Sequence, residues 1–276
     1  MISGGTRVAA VIGSPIRHSL SPALHNAAFR QLGIDWVYVA FHVEHGEAQR
    51  AVDAMRVFEI AGLSVTAPHK ESIVLAVDAL SPAAEALRSV NTVVVDGAGA
   101  LVGHSTDGAG FIASLSAAGV GVGGRNVCLL GAGGAGRAIA DALANSGAAR
   151  VAVVNRSPEP AAFAASLAGT VGVVGTTADI RDADIVVNAT SVGMGSEELP
   201  CDPALLRAGQ VVADVVYHPR HTALLRAAAA AGATTVDGLG MLVHQAALQQ
   251  QLWHGMLPDI AAMAEAAERE LAARHH

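Results

Sequence analysis

Short apolar runs punctuated by glycine, proline and serine alternate with amphipathic stretches along most of this chain. Residues 8–12, 36–43, 62–66, 90–95 and 101–102 are rich in Val, Ile and Leu and read as strands, while helix-like segments begin near Ser21, Glu47, Pro68 and Ser81. Ser21 fits an N-cap with Pro22 at the first helical position, and Leu24, Ala28 and Leu32 give that helix a buried stripe. A second series of strands falls near 127–130, 151–154, 171–174, 184–188, 211–216 and 234–236, mostly with Ala-rich helices between them, a count that suits a six-stranded doubly wound parallel sheet. Residues 108–124, ending in a glycine-rich stretch, read as the linker between the two series. Helices near 240–254 and 258–273 remain after the last strand, and at least one is expected to return to the first domain. The pattern therefore predicts an α/β protein of two domains, with boundaries at 1–107, 108–239 and, for the returning helices, 240–276.

The second series opens on Gly131-Ala132-Gly133-Gly134-Ala135-Gly136, directly behind the apolar run 127–130 and ahead of a helix. Glycines are needed at such a strand–turn–helix junction because the turn is tight, because the backbone must approach a pyrophosphate, and because the helix packs closely on the strand. This is a dinucleotide-binding fingerprint, and it makes the second domain a Rossmann-type nucleotide domain. About twenty residues on, the next strand ends in Asn155-Arg156-Ser157, where an NAD site usually carries Asp or Glu against the ribose 2′-hydroxyl. Arg156 offers a planar fork to a 2′-phosphate, and Asn155 and Ser157 offer uncharged hydrogen bonds. NADP is the expected cofactor, with NAD as a weaker alternative.

Composition narrows the class. The 276 residues are 52% hydrophobic but only 3% aromatic, so the core is built from Ala, Val, Leu and Ile, as suits helices packed on a parallel sheet. Net charge is -7 and no Lys/Arg run is dense enough to track a phosphate backbone, which argues against nucleic acid as a partner. Cys128 and Cys201 lack metal or redox spacing, so no metal is expected and a reducing cytoplasm fits. The apolar start at 8–12 is too short for a secretory signal, and the Ala-rich segment near 223–231 is too short to span a membrane. His275 and His276 are either native or the remnant of a tag.

Three segments of the first domain are more polar than a plain core requires. In 13–26, Ser19 and Ser21 place paired hydroxyls beside a helix start, an arrangement that can hold a carboxylate, although capping alone also accounts for Ser21. In 62–70, Lys70 falls in the first turn of the helix expected from Pro68, where the dipole disfavours a cation and suits an acid/base lysine. His69 beside it reads as packing or surface. In the third segment, Asn91 at a strand start can bridge hydroxyls of a polyol, and Asp107 is a carboxylate suited either to partner Lys70 or to cap the helix through Phe111.

Taken together, Ser-x-Ser-Pro at 19–22, Ser-Val-Thr-x-Pro-x-Lys at 64–70, Val-Asn-Thr at 90–92, Thr-Asp-Gly at 106–108, the glycine loop, Asn-Arg-Ser at 155–157, 188–194, 214–219 and 237–247 closely resemble the shikimate dehydrogenase family, over about residues 8–260. The resemblance implies that Ser19, Ser21, Thr66, Asn91, Tyr217 and Gln245 form the substrate shell and that Lys70 and Asp107 are the catalytic pair. It implies nucleotide contacts from Asn155, Arg156, Thr190, Val215 and Gly238 beside the glycine loop. The family often has Asn where this chain has Ser64 and Ser105, which leaves shikimate, quinate and amino analogues as candidate substrates.

The activity so implied is reversible hydride transfer between NADP and a ring carbon of shikimate, giving 3-dehydroshikimate, in the pathway to aromatic amino acids. Lys70 would handle the hydroxyl proton, and Ser19 with Ser21 would hold the carboxylate. The expected partner is a small molecule, and the expected state is a monomer or homodimer. Glutamyl-tRNA reductases share similar nucleotide-domain patterns, but their chemistry needs a thiol in the first domain, and no Cys precedes Cys128. A silent NADP- or shikimate-binding sensor is the other alternative, against which stand both Lys70 and Asp107.

Overall fold

The computed structural model describes residues 2–274; His275 and His276, native or tag, lie outside the described residues. By contact the chain divides into two compact units, Met1–Thr106 with Gln245–His276, and Asp107–His244. The sequence expectation placed its breaks after 107 and 239. The second break falls instead within a helix, because the helix Gly238–His254 runs unbroken through it.

The first unit contains β1 (Arg7–Gly13), α1 (Ser21–Leu32), β2 (Trp36–His42), α2 (Ala48–Val57), β3 (Gly62–Val65), β4 (Ala79–Leu80), α3 (Pro82–Leu87), β5 (Thr92–Val95) and β6 (Leu101–His104). Its sheet has the order β2-β1-β3-β5-β6-β4, parallel except where β5 runs antiparallel to β3 and β6. Asn26 pins α1 to the sheet, its side-chain amide donating to the Tyr38 carbonyl and accepting from the Tyr38 N–H, both at 2.8 Å.

The second unit begins with α4 (Asp107–Ala117) and continues β7 (Asn126–Leu130), α5 (Gly134–Asn145), β8 (Arg150–Val154), α6 (Pro158–Leu167), β9 (Gly172–Val174), β10 (Ile185–Asn188), β11 (Val211–Asp214), α7 (Ala223–Ala230) and β12 (Thr234–Val236). Its sheet, β12-β11-β10-β7-β8-β9, is parallel throughout and reverses direction of growth at β7, as a doubly wound sheet does. The four inner strands, β7, β8, β10 and β11, are largely buried on both faces and carry mostly Val, Ile, Leu and Ala.

Two helices close the chain, α8 (Gly238–His254) and α9 (Ile260–Ala273). The later part of α8 returns to the first sheet: the Trp253 indole N–H donates to the Val93 carbonyl at 3.1 Å, and its ring lies where a Cβ on Gly62 would stand, 2.6 Å away. A glycine at that point of β3 is what lets the ring reach the sheet. Helix α9, capped by Asp259, packs along α1.

Three local expectations are corrected. No α-helix starts at Pro68: the Ala67 and Lys70 carbonyls accept from the Ser14 and Val90 amides, at 3.1 and 2.8 Å, so the helical ladder cannot form, and only a short 3-10 helix follows at Ser72–Leu75. The dipole argument for Lys70 falls with it. Ser21 is the first residue of α1 rather than its cap, which is Leu20. Residues 108–124 are not a linker, since Phe111, Leu115, Val120 and Val122 lie in the core of the second unit.

Gly108 shows how tightly α4 is built in: a Cβ there would stand 2.4 Å from the Ala138 carbonyl oxygen and 2.9 Å from the Ala142 Cβ. Gly108→Ala is expected to destabilise the protein by about 1–3 kcal/mol through overpacking. Calorimetry checks this, and a melting temperature equal to the parent's would show that α4 can shift freely.

Candidate active site

In the first unit the polar residues form one continuous buried network. The Ser21 amide donates to the Ser19 hydroxyl oxygen at 3.2 Å, so the Ser19 proton remains to be donated elsewhere. The Ser21 side chain also shares a hydrogen bond with Tyr38, whose hydroxyl donates to Ser64 at 2.6 Å. Ser64 donates onward to the Gln249 Oε1 at 2.7 Å, and the Gln249 amide donates to the Asn91 carbonyl at 3.2 Å. Burial pushes the Tyr38 hydroxyl far above its ordinary range, so it stays protonated and remains a donor.

Asn91 is the hub. Its Oδ1 accepts from the Thr106 amide at 2.8 Å and the Thr92 hydroxyl at 2.7 Å, while Nδ2 donates to the Thr106 Oγ1 at 2.9 Å and to the Gln245 Oε1 at 3.4 Å. The last is the longest of the four and the one a substrate hydroxyl can displace at least cost. Lys70 is tied to the hub through its backbone, its carbonyl accepting from Val90, the residue before Asn91. Thr66, half-buried, lies against Gly13, where a Cβ would stand 2.5 Å from the threonine methyl. His69 is buried, with Nε2 2.8 Å from the Val43 carbonyl, and serves packing.

In the second unit Asp107 is the first residue of α4, buried, and directly follows Thr106, which Asn91 grips at two atoms. Gly131 has φ +105, and a Cβ on Gly136 would stand 2.2 Å from the Gly131 oxygen, so both glycines are obligatory for the turn into α5. Gly133, by contrast, faces open space and begins α5 with no side-chain capping bond, leaving first-turn amides to an anion. These features fit a pyrophosphate. Ala132 is buried in the turn, and Gly134 and Ala135 open the helix.

Around that turn, Thr190 packs its methyl against Gly131 and commits its hydroxyl to Asn188 Oδ1 at 2.7 Å. Asn188 in turn donates to Asp214 at 2.9 Å, joining the ends of β10 and β11. Burial raises the Asp214 pKa, opposed by hydrogen bonds from the Val216 amide, Thr222 and Asn188. Val215 and Gly238 are brought together: a Cβ on Gly238 would stand 2.4 Å from the Val215 oxygen. At the end of β8, Asn155 donates to the Ser157 carbonyl at 3.1 Å, while Arg156 and Ser157 are exposed; Arg156 makes no ion pair among the described residues. Tyr217 is half-buried.

Family profiles match three stretches: the shikimate dehydrogenase substrate binding domain at residues 11–93, shikimate/quinate 5-dehydrogenase at 115–194, and the shikimate 5′-dehydrogenase C-terminal domain at 238–268. The NADP-dependent shikimate dehydrogenase of Thermococcus kodakarensis is 45% identical over 274 residues, covering 97% of this chain and 98% of that protein. The chain belongs to the shikimate dehydrogenase family. A shikimate dehydrogenase solved with NADP+ superposes with a TM-score of 0.91 at 35% identity, over 98% of this chain and 97% of that one. The Thermus thermophilus enzyme, solved with NADP(H) and shikimate, gives 0.88 at 37% identity, over 95% and 99%. Among the described residues no helix is long and apolar enough to cross a membrane, and no group of three or more His, Cys, Asp or Glu could hold a metal ion.

Sequence reading missed Tyr38, Thr106 and Gln249, and the strand-end pair Asn188 and Asp214. A cue was present for Gln249: it follows Gln245 by one helical turn, with only Ala246, Ala247 and Leu248 between them. Tyr38 gives none, because a tyrosine in a strand reads as core. It also carries His25, which stacks on it at 4.1 Å and is held by burial at a pKa of about 3, with a Gln249 hydrogen bond opposing.

Between pH 6.5 and about 3 the unfolded chain therefore protonates His25 while the folded one does not, so this residue makes stability fall as the pH is lowered through that window. His25→Gln should flatten the acid limb by up to about 1.4 kcal/mol per pH unit. Urea unfolding at stepped pH reads this directly, and an unchanged slope would mean that His25 is charged or exposed in the fold.

Proposed function

We propose that this protein catalyses the reversible NADP-dependent oxidation of shikimate to 3-dehydroshikimate. One observation carries the assignment of the acid/base: Lys70 is the only lysine among the 17 Lys and Arg residues of the chain. Arginine does not give up its proton in a protein, so apart from the histidines Lys70 is the one basic side chain able to exchange a proton with a substrate hydroxyl, and its carbonyl ties it to Val90, next to the Asn91 hub. Family membership and the neighbouring Thr106-Asp107 support the same reading.

Substrate binding is assigned to residues of the first unit with Tyr217 of the second, and NADP to the second. Ser19 and Ser21 hold the shikimate carboxylate; Thr66, Asn91, Gln245 and Tyr217 orient the ring hydroxyls. Lys70 takes the proton from the hydroxyl of the carbon being oxidised, and Asp107 keeps the ammonium form stabilised and directed. Bound NADP+ supplies the hydride acceptor, with its pyrophosphate on the 131–136 turn and its 2′-phosphate on Arg156, flanked by Asn155 and Ser157. Thr190, Val215 and Gly238 shape the rest of that pocket. Ser64 does not hold substrate, because its hydroxyl is committed to Tyr38 and Gln249.

Steady-state oxidation of shikimate, quinate and an amino analogue with NADP+ or NAD+ tests the assignment; a larger kcat/KM for quinate or the amino analogue would reassign the substrate. Lys70→Ala is expected to lower kcat by on the order of 10²- to 10⁴-fold while leaving NADP binding intact. Asp107→Ala should also damage kcat, and the double variant should be far less than multiplicatively worse. Near-full kcat with only a raised KM in Lys70→Ala would make Lys70 a binding group. Arg156→Ala should weaken NADP by roughly 1–3 kcal/mol and leave NAD nearly unchanged, as titration of each cofactor would show.

A further inference from the structure

We infer that Arg274, at the end of α9, is a positioning residue for the substrate carboxylate, acting on it through the backbone that carries Ser19. Its Nη1 donates to the His18 carbonyl at 2.6 Å and its Nη2 to the Ser19 carbonyl at 3.1 Å. The remaining nitrogen, Nε, donates to Glu270 Oε1 at 2.9 Å, one helical turn back, so the fork is held in its orientation by α9 itself. Every nitrogen of the guanidinium is thus engaged, two of them on consecutive carbonyls 255 and 256 positions away in the chain.

The carbonyls belong to the loop that leads into α1, anchored on either side by the buried Ile16 and Leu20. A cavity of about 580 Å³ borders it, lined by Ile16, Ser19, Pro22, Asn26 and Arg274 among others. Packing thus holds the two ends of the stretch, and hydrogen bonds orient the peptide units between them. From within the loop, the Ser19 amide donates to the Ile16 carbonyl at 2.9 Å, and the Ser19 hydroxyl accepts from the Ser21 amide at 3.2 Å, a long bond that sets which lone pair is occupied but tolerates movement of the residue. Arg274 adds a restraint from a distant part of the chain. It fixes the peptide units on either side of the Ser19 Cα, and with them the direction in which the hydroxyl donates. A lysine has no planar fork and cannot bind Glu270 and both carbonyls at once.

This inference rests on the assignment of Ser19 to the carboxylate, and the experiment separates the two. Hydrogen exchange of a peptide covering residues 14–24 reads the clamp without any substrate, and steady-state kinetics reads its consequence. Arg274→Ala should raise exchange in that peptide and raise the shikimate KM on the order of tenfold, with kcat and the NADP KM within about twofold of the parent. Arg274→Lys should recover part of both effects. Ser19→Ala should raise the shikimate KM without altering exchange. Unchanged exchange in Arg274→Ala would overturn the clamp. Raised exchange with an unchanged KM would overturn its role toward substrate, provided Ser19→Ala shows the KM effect; if Ser19→Ala shows none, the carboxylate assignment itself fails and the positioning role with it. A uniform loss in kcat and in both KM values, with no recovery by lysine, would mark Arg274 as structural only.

Discussion

A single buried side-chain amide, that of Asn91, is the constraint on which the rest of the first unit's site depends. An unsatisfied amide at this depth would cost several kcal/mol, so each of its four hydrogen-bonding positions has to be met by a partner at the right angle. Meeting them fixes Thr106 at the end of the sheet, Thr92 at the start of β5 and Gln245 on α8. The Asn91 carbonyl adds Gln249, and through it Ser64, Tyr38 and Ser21 are drawn into one chain of donors and acceptors. Polar groups in a core of Ala, Val and Leu cannot settle for approximate geometry, and the site inherits its definition from that intolerance.

The nucleotide unit obeys a related logic with fewer parts. Asn188 and Asp214 are paired across β10 and β11 at the carboxyl ends of the strands, the edge at which doubly wound sheets bind ligands. Their bonds shape the two loops that carry Thr190 and Val215. Thr190 therefore reaches the glycine turn with its methyl, while its hydroxyl serves the loop.

Much of this was legible in the amino-acid order. The parallel strands of the second unit were readable because burial on both faces leaves continuous Val, Ile and Leu runs, and the glycine turn because no other residue fits positions 131 and 136. What escaped was decided by contacts between distant segments. Pro68 looks like a helix start until Ser14 and Val90 claim the carbonyls that a helix would need. Ser64 looks like a weakened substrate contact until Tyr38 and Gln249 occupy its hydroxyl. Residues 108–124 look like a linker because glycines crowd them, although Gly108 is there for close packing on α5. The two-residue β4 is too short to leave any periodic trace.

Helix α8 places a restriction on how this chain can change its length. Gln245, Gln249 and Trp253, spaced one turn apart on it, meet Asn91, Ser64 and the Val93 carbonyl. Because the helix is unbroken, inserting or deleting one residue between Gln245 and Gln249 would turn one glutamine by about 100° relative to the other and carry one of them off its partner. Seven residues, close to two full turns, would nearly restore the phase, missing it by about 20°, but would add about 10 Å of rise, so no insertion keeps both contacts. The stretch from Gln245 to Trp253 therefore has a fixed length, whereas the exposed residues 255–257 beyond it are under no such restriction.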